Sequence, residues 1–135
     1  MPVKVKKRVI LDSNFLMLPF QFNVDILNEI ARILGGGYKI YVPQEVLNEL
    51  NYLSLKAERL KDRKLAKMAL EYAKRFDAIK GGGKDADGAI FALAEKDTIV
   101  CTNDKELKTR LREFNTPVRY LRQRSKLEIE GYGVS

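Results

Sequence analysis

Short apolar runs alternate with longer stretches of helical spacing along most of this chain. Residues 9–11 (Val9, Ile10, Leu11) form a continuous apolar run closed by Asp12, which suits a parallel strand buried on both faces better than an exposed alternating one. In residues 24–34, Ile26, Leu27, Ile30, Ile33 and Leu34 recur at helical spacing, and the glycines at 35–37 stop the helix. Residues 39–42 read as a second strand, with Pro43 suited to the first turn of a helix running through Leu53. From about residue 58 to residue 79, Leu65, Met68, Ala69, Tyr72, Ala73 and Phe76 predict one long amphipathic helix, ended by the glycines at 81–83. Residues 86–95 form a short helix that is apolar nearly all round, hence buried, and residues 98–101 a third strand. Asn103, with Glu106 three residues on, resembles a capping box that opens a helix to about Phe114. A fourth strand follows at 117–121, and the alternation at 126–130 reads as a late edge strand. Strands alternating with helices imply an α/β fold: a central, mostly parallel twisted sheet of four to five strands flanked by helices. Three of those helices lie in the long connection between the second and third strands.

Composition narrows what such a fold does. The 135 residues fit one domain, 1–135, with no room for a second, and a chain of this size buries a sizeable core without cross-links. With 45% hydrophobic and 32% charged residues it reads as soluble and globular, and abundant Lys, Arg and Glu hint at a thermophilic source. No apolar run approaches the roughly 20 residues that cross a bilayer, and the basic start is not followed by a leader-like stretch. No membrane is expected, and the location is read as cytoplasmic. Cys101 is the single cysteine and histidine is absent, which excludes intrachain disulfides, Cys/His zinc sites and imidazole bases. Chemistry falls to carboxylates, hydroxyls, lysines or oxygen-bound metals. The net charge of +7 favours a polyanionic partner.

Four acids meet this requirement together. In a parallel sheet each connecting helix starts near the carboxyl edge of the preceding strand, where ligands usually bind. Asp12 ends the first strand there, Glu49 lies about two turns into the helix after the second, and Asp104 sits in the first turn after the third. Asp87 opens the helix that runs back to feed the third strand, so its first turn lies at the same edge. Each acid alone reads as a helix cap, a dipole partner or a solvated residue; shared position is what gives the set its meaning. Packing several carboxylates together is costly unless a cation joins them. Oxygen ligands without imidazole or thiolate favour Mg²⁺ or Mn²⁺, which lower the pKa of bound water and shield a phosphodiester under attack.

The sequence resembles the PIN-domain nucleases over nearly its whole length. ILDSN (10–14) looks like the family's first acidic motif, VPQEVLNEL (42–50) the second, ADGAIFALA (86–94) the third and TNDKEL (102–107) the fourth. The resemblance implies a three-layer PIN-like fold and a metal-dependent endoribonuclease. Asp12, Glu49, Asp87 and Asp104 would be its metal ligands, with Ser13 and Thr102 at positions where hydroxyls shape the site. Asp85 would be a substitute or outer-shell ligand, and Glu45 is expected to face solvent. Short PIN chains are commonly toxins of toxin–antitoxin pairs, whereas residues 102–121 are especially similar to nucleases that process ribosomal RNA precursors. The expected partners are RNA, a second copy of the chain, and an antitoxin protein or a pre-ribosomal particle. The rival reading from another class is an RNA-binding or scaffolding PIN domain that keeps the acids without cutting. A phosphatase with Asp12 as nucleophile is remoter, because Asn14 stands where one such family has a second acid.

Residues 56–75 hold eight Lys/Arg against three acids, and residues 105–126 eight against two. Both clusters suit phosphate contacts or a solvated helix face. Neither glycine run is followed by the Lys-Ser/Thr of a phosphate loop, so both read as turns and helix stops. Phe15, Phe20 and Phe22 fit core or dimer packing better than base stacking.

Overall fold

The computed structural model describes residues 7–83, 85–93, 98–102, 109, 119–123 and 127–131. Its frame is one six-stranded sheet: β1 (Lys7–Leu11), β2 (Tyr38–Pro43), β3 (Asp77–Ile79), β4 (Thr98–Cys101), β5 (Arg119–Gln123) and β6 (Leu127–Gly131). The spatial order is β3-β2-β1-β4-β5-β6. The first five strands run parallel and β6 pairs antiparallel to β5. The apolar run at 9–11 is the middle of this sheet, wholly buried, with Ile10 beside Tyr41 on one flank and Leu11 beside Cys101 on the other.

Among the described residues the connecting helices are α1 (Ser13–Phe22), α2 (Ile26–Leu34), α3 (Gln44–Lys56), α4 (Leu60–Ala73) and α5 (Ala86–Leu93), and Thr109 between β4 and β5 is also helical. α1 begins directly after β1 because Asp12 caps it, accepting from the Phe15 N–H at 2.9 Å. It ends at Asn23, whose left-handed φ of 55° is one that asparagine tolerates. Asp25 caps α2 by accepting from Asn28 N at 3.2 Å. α3 and α4 form an antiparallel pair whose connection is held by Arg63, donating from Nε to Ala57 O at 2.6 Å. α1 packs on α4, and their buried side chains join those of β1, α2 and α3 in a single core around Ile10, Phe15, Leu16, Ile30 and Leu50. No helix among the described residues is long and apolar enough to cross a membrane.

The expected elements appear with three changes. The helix expected over 58–79 is divided. Tight bonds from Arg75 N to Tyr72 O and from Phe76 N to Ala73 O close α4, and the chain then adds β3 to the edge of β2. Lys39 and Asp77 tie that edge through an ion pair at 2.7 Å. α1 was not anticipated, and its Phe15 is core rather than a base-stacking ring, while Phe20 meets Tyr72 edge-on and Phe22 is exposed. The sheet therefore has six strands, the sixth being the short β3. The helix expected over 103–114 lies, Thr109 excepted, outside the described residues.

Candidate active site

Strand order locates the site. From β1 the chain moves outward to β2, whereas β4 lies on the other side of β1 and is followed outward by β5. With right-handed crossovers these departures take opposite faces and leave a crevice at the carboxyl ends of β1 and β4. The two residues at those ends are Asp12 and Thr102, both buried, Asp12 with 4% of its surface exposed.

Asp12 is held from several directions. Its backbone N–H donates to Cys101 O at 3.2 Å, and its carbonyl accepts from Leu16 N. Oδ1 accepts from Phe15 N, and Oδ2 accepts from the Thr102 hydroxyl. Ser13 is buried beside it in the first turn of α1. Cys101, fully buried under the same edge, has its thiol pushed well above its ordinary 9.0, by burial first and then by the Asp12 charge. It is a packing residue and not a nucleophile.

Glu49 and Asp87 are carried by the helices α3 and α5. Glu49 is half-buried on α3 and lines a cleft of about 280 Å³ with Glu45, Asn48, Asp85 and Ala86. The far end of α5 is pinned near the start of β1, where Arg8 donates from Nη2 to Leu93 O at 2.9 Å. From Leu93 back to Asp87 is about 9 Å of helix, and from Arg8 on to Asp12 about 13 Å of strand, so the first turn of α5 lies towards the carboxyl edge. Asp87 is half-buried in that turn. Asp85 caps the same helix, its Oδ1 accepting from Gly88 N at 2.8 Å. Asp104 lies outside the described residues, and among those described no three carboxylates are grouped closely enough to share a metal ion as placed.

Two features at this edge differ from expectation. Glu45, expected to face solvent, is half-buried, and its Oε1 accepts from Gly81 N at 3.1 Å. The glycines at 81–83 do not stop a helix; Gly81 and Gly83 press against α5. A Cβ on Gly81 would come within 2.3 Å of the Ala89 Cβ, and one on Gly83 within 2.4 Å of Ala89 N. The spacing of Glu45 and Glu49, four residues apart on one helical face, is the sequence signal that could have drawn Glu45 into the site.

A family model described as a PIN like domain matches residues 9–124. Ribonuclease VapC4 of Methanocaldococcus jannaschii is 37% identical over 128 residues, covering 92% of this chain and 97% of its own. Ribonuclease VapC9 of Archaeoglobus fulgidus is 26% identical over 121 residues, covering 90% and 87%. Among solved structures, the PIN domain endonuclease Utp24 superposes with a TM-score of 0.73 at 26% identity, covering 96% of this chain and 95% of its own. VapBC2 from Rickettsia felis, bound to a promoter DNA fragment, matches with a TM-score of 0.52 at 18% identity, covering 76% and 92%, which bears on the fold alone. The chain belongs to the PIN-like domain family, as its four motifs led one to expect.

Proposed function

We infer that this protein is an endoribonuclease that hydrolyses RNA phosphodiester bonds with a divalent cation held by Asp12, Glu49, Asp87 and Asp104. The observation that carries the reading is Asp12: a buried carboxylate at the switch point of the sheet, oriented by a backbone N–H and the Thr102 hydroxyl. The half-buried Glu49, which shares a cleft with Asp85 and Ala86 at the start of α5, and the half-buried Asp87 on α5 support it. The donor set of carboxylate and hydroxyl oxygens fits Mg²⁺ or Mn²⁺ and not a soft metal. When bound, such an ion supplies charge neutralisation at the phosphodiester and a water of lowered pKa. The chain's own residues orient that chemistry. Thr102 and the Phe15 N–H fix the Asp12 carboxylate, Ser13 borders it, and Asp85 stands as an outer-shell acid that caps the helix carrying Asp87.

The names of the VapC relatives favour a toxin-type ribonuclease whose partner is an antitoxin protein, and the likeness to Utp24 favours ribosomal RNA processing on a pre-ribosomal particle. A homodimer is proposed in either case, with single-stranded RNA as substrate. The purified protein is expected to cleave single-stranded RNA with Mg²⁺ or Mn²⁺ and to stop with EDTA. Asp12→Asn is expected to lose activity by orders of magnitude while melting within a few degrees of wild type, because asparagine remains a good cap. Wild-type cleavage by that variant would remove Asp12 from the site. RNA binding without cleavage under any divalent ion would favour a scaffolding role instead.

A further inference from the structure

A second acid on α3 faces the cleft without belonging to the four motif positions. Glu45 lies one turn before Glu49 on the same face of the helix, and both line the cleft with Asp85 and Ala86. Like charges at this spacing oppose helix stability, so the pair needs a reason. Glu45 has one: its carboxylate accepts from the N–H of Gly81, 36 positions further along the chain. Gly81 begins the run whose backbone lies directly on the first turn of α5. The nearest atoms to a Cβ on Gly81 would be Ala89 Cβ at 2.3 Å and Cα at 2.6 Å, and to one on Gly83, Ala89 N at 2.4 Å and Gly88 C at 2.5 Å. Such distances leave no space for any side chain larger than hydrogen. Gly82 between them has a φ of 75°, a left-handed conformation that glycine adopts without strain. The glycine run thus packs on α5 while Glu45 ties it to α3, and the two helices also meet directly.

We propose that Glu45 is a positioning residue: by holding Gly81 it sets the separation of α3 from α5, and so the distance between the Glu49 and Asp87 carboxylates across the site. This rests on the reading of those two acids as cation ligands given above. Outer residues that orient ligands commonly change metal affinity about 10–100-fold when removed. The glycines serve the same purpose from the other side, because a run with side chains would hold α5 further out.

The test compares Glu45→Ala with Glu45→Gln, whose amide oxygen still accepts from Gly81 N but carries no charge. Two quantities are read on the full chain: hydrogen exchange of the amides at 81–89 in EDTA, and the Mn²⁺ concentration at half-saturation, followed by the rise in melting temperature and separately by RNA cleavage. Glu45→Ala is expected to speed exchange at Gly81 and to raise the Mn²⁺ midpoint about tenfold or more, with Glu45→Gln within about twofold of wild type on both. Gly83→Ala, which displaces α5 without touching Glu45, is expected to raise the midpoint likewise. If Glu45→Gln fails as badly as Glu45→Ala in Mn²⁺ affinity while keeping slow exchange, the charge itself acts as a ligand and positioning is overturned. Wild-type values for Glu45→Ala would also overturn it. A wild type that takes up no Mn²⁺ would overturn the metal-site reading and this inference together, whereas uptake without cleavage would remove only the nuclease reading.

Discussion

Asp12 carries two duties that one substitution can separate. It caps α1 and closes the end of β1 through backbone bonds, and its carboxylate faces a buried hydroxyl at the carboxyl edge of the sheet. Burial of this edge has a second consequence at Cys101. Because burial and the Asp12 charge both raise its thiol above 9.0, less thiolate exists at any pH in the folded protein than in the unfolded chain. The gap in reactivity is widest from 9.0 upward to the folded value. Ellman's reagent at pH 8 is expected to find Cys101 silent in the native protein and fully reactive in denaturant. Prompt native-state reaction would contradict its burial.

Among the elements, strands were legible where an apolar run is closed by a polar residue, as at Leu11–Asp12 and Cys101–Thr102. α1 was not, because Phe15, Leu16, Met17, Leu18 and Phe20 leave it no polar stripe and Pro19 sits inside it. What makes it a helix is its Asp12 cap and its packing on α4, and only the cap is visible locally. β3 was hidden because Phe76 and Ile79 continue the helical spacing of α4, and three residues are too few to show alternation. Glu45 was misjudged because its spacing from Glu49 marks only a shared helical face, while the bond that engages it, to a backbone N–H 36 residues away, is not visible in the sequence. The buried face of α4 also differs from the expected stripe: Met68 at its border is exposed, while Ala66, Ala69 and Ala73 are completely buried. These small residues let α4 approach its neighbours closely. Ala69→Leu is accordingly expected to cost about 1–3 kcal/mol through overpacking, lowering the melting temperature by several degrees. Met68→Leu should stay within about 0.5 kcal/mol. Equal melting of the two variants would mean that the contact is looser than the burial implies.

On the scale of the whole molecule, charge and metal act over more than one element. Lys61, Lys64 and Lys67 are exposed along α4 and pair with no acid among the described residues, a track suited to a phosphate backbone. Lys61→Glu with Lys64→Glu is expected to weaken single-stranded RNA binding and to flatten its salt dependence by about 1.4 in the log–log slope, from two lost contacts. An unchanged slope would make the track a solvated face. With the proposed ligand set, metal should in turn stabilise the entire fold, because its four acids stand at the end of β1, on α3, on α5 and in the segment after β4. Two carboxylates about 5 Å apart repel by roughly 3 kcal/mol at an effective dielectric of 20, so neutralising one in EDTA should relieve strain. An ion at 100 times its dissociation constant adds about 2.7 kcal/mol, or roughly 10 °C in melting temperature for a chain of this length. Asp104→Asn is therefore expected to melt above wild type in EDTA and to gain little from Mn²⁺, while wild type gains the full increment. If Asp104 served only as a helix cap, its replacement would leave melting in EDTA level or lower and the Mn²⁺ response intact. The two roles differ in both quantities, so a pair of melting curves with and without Mn²⁺ decides between them, and the second pattern would strike Asp104 from the ligand set.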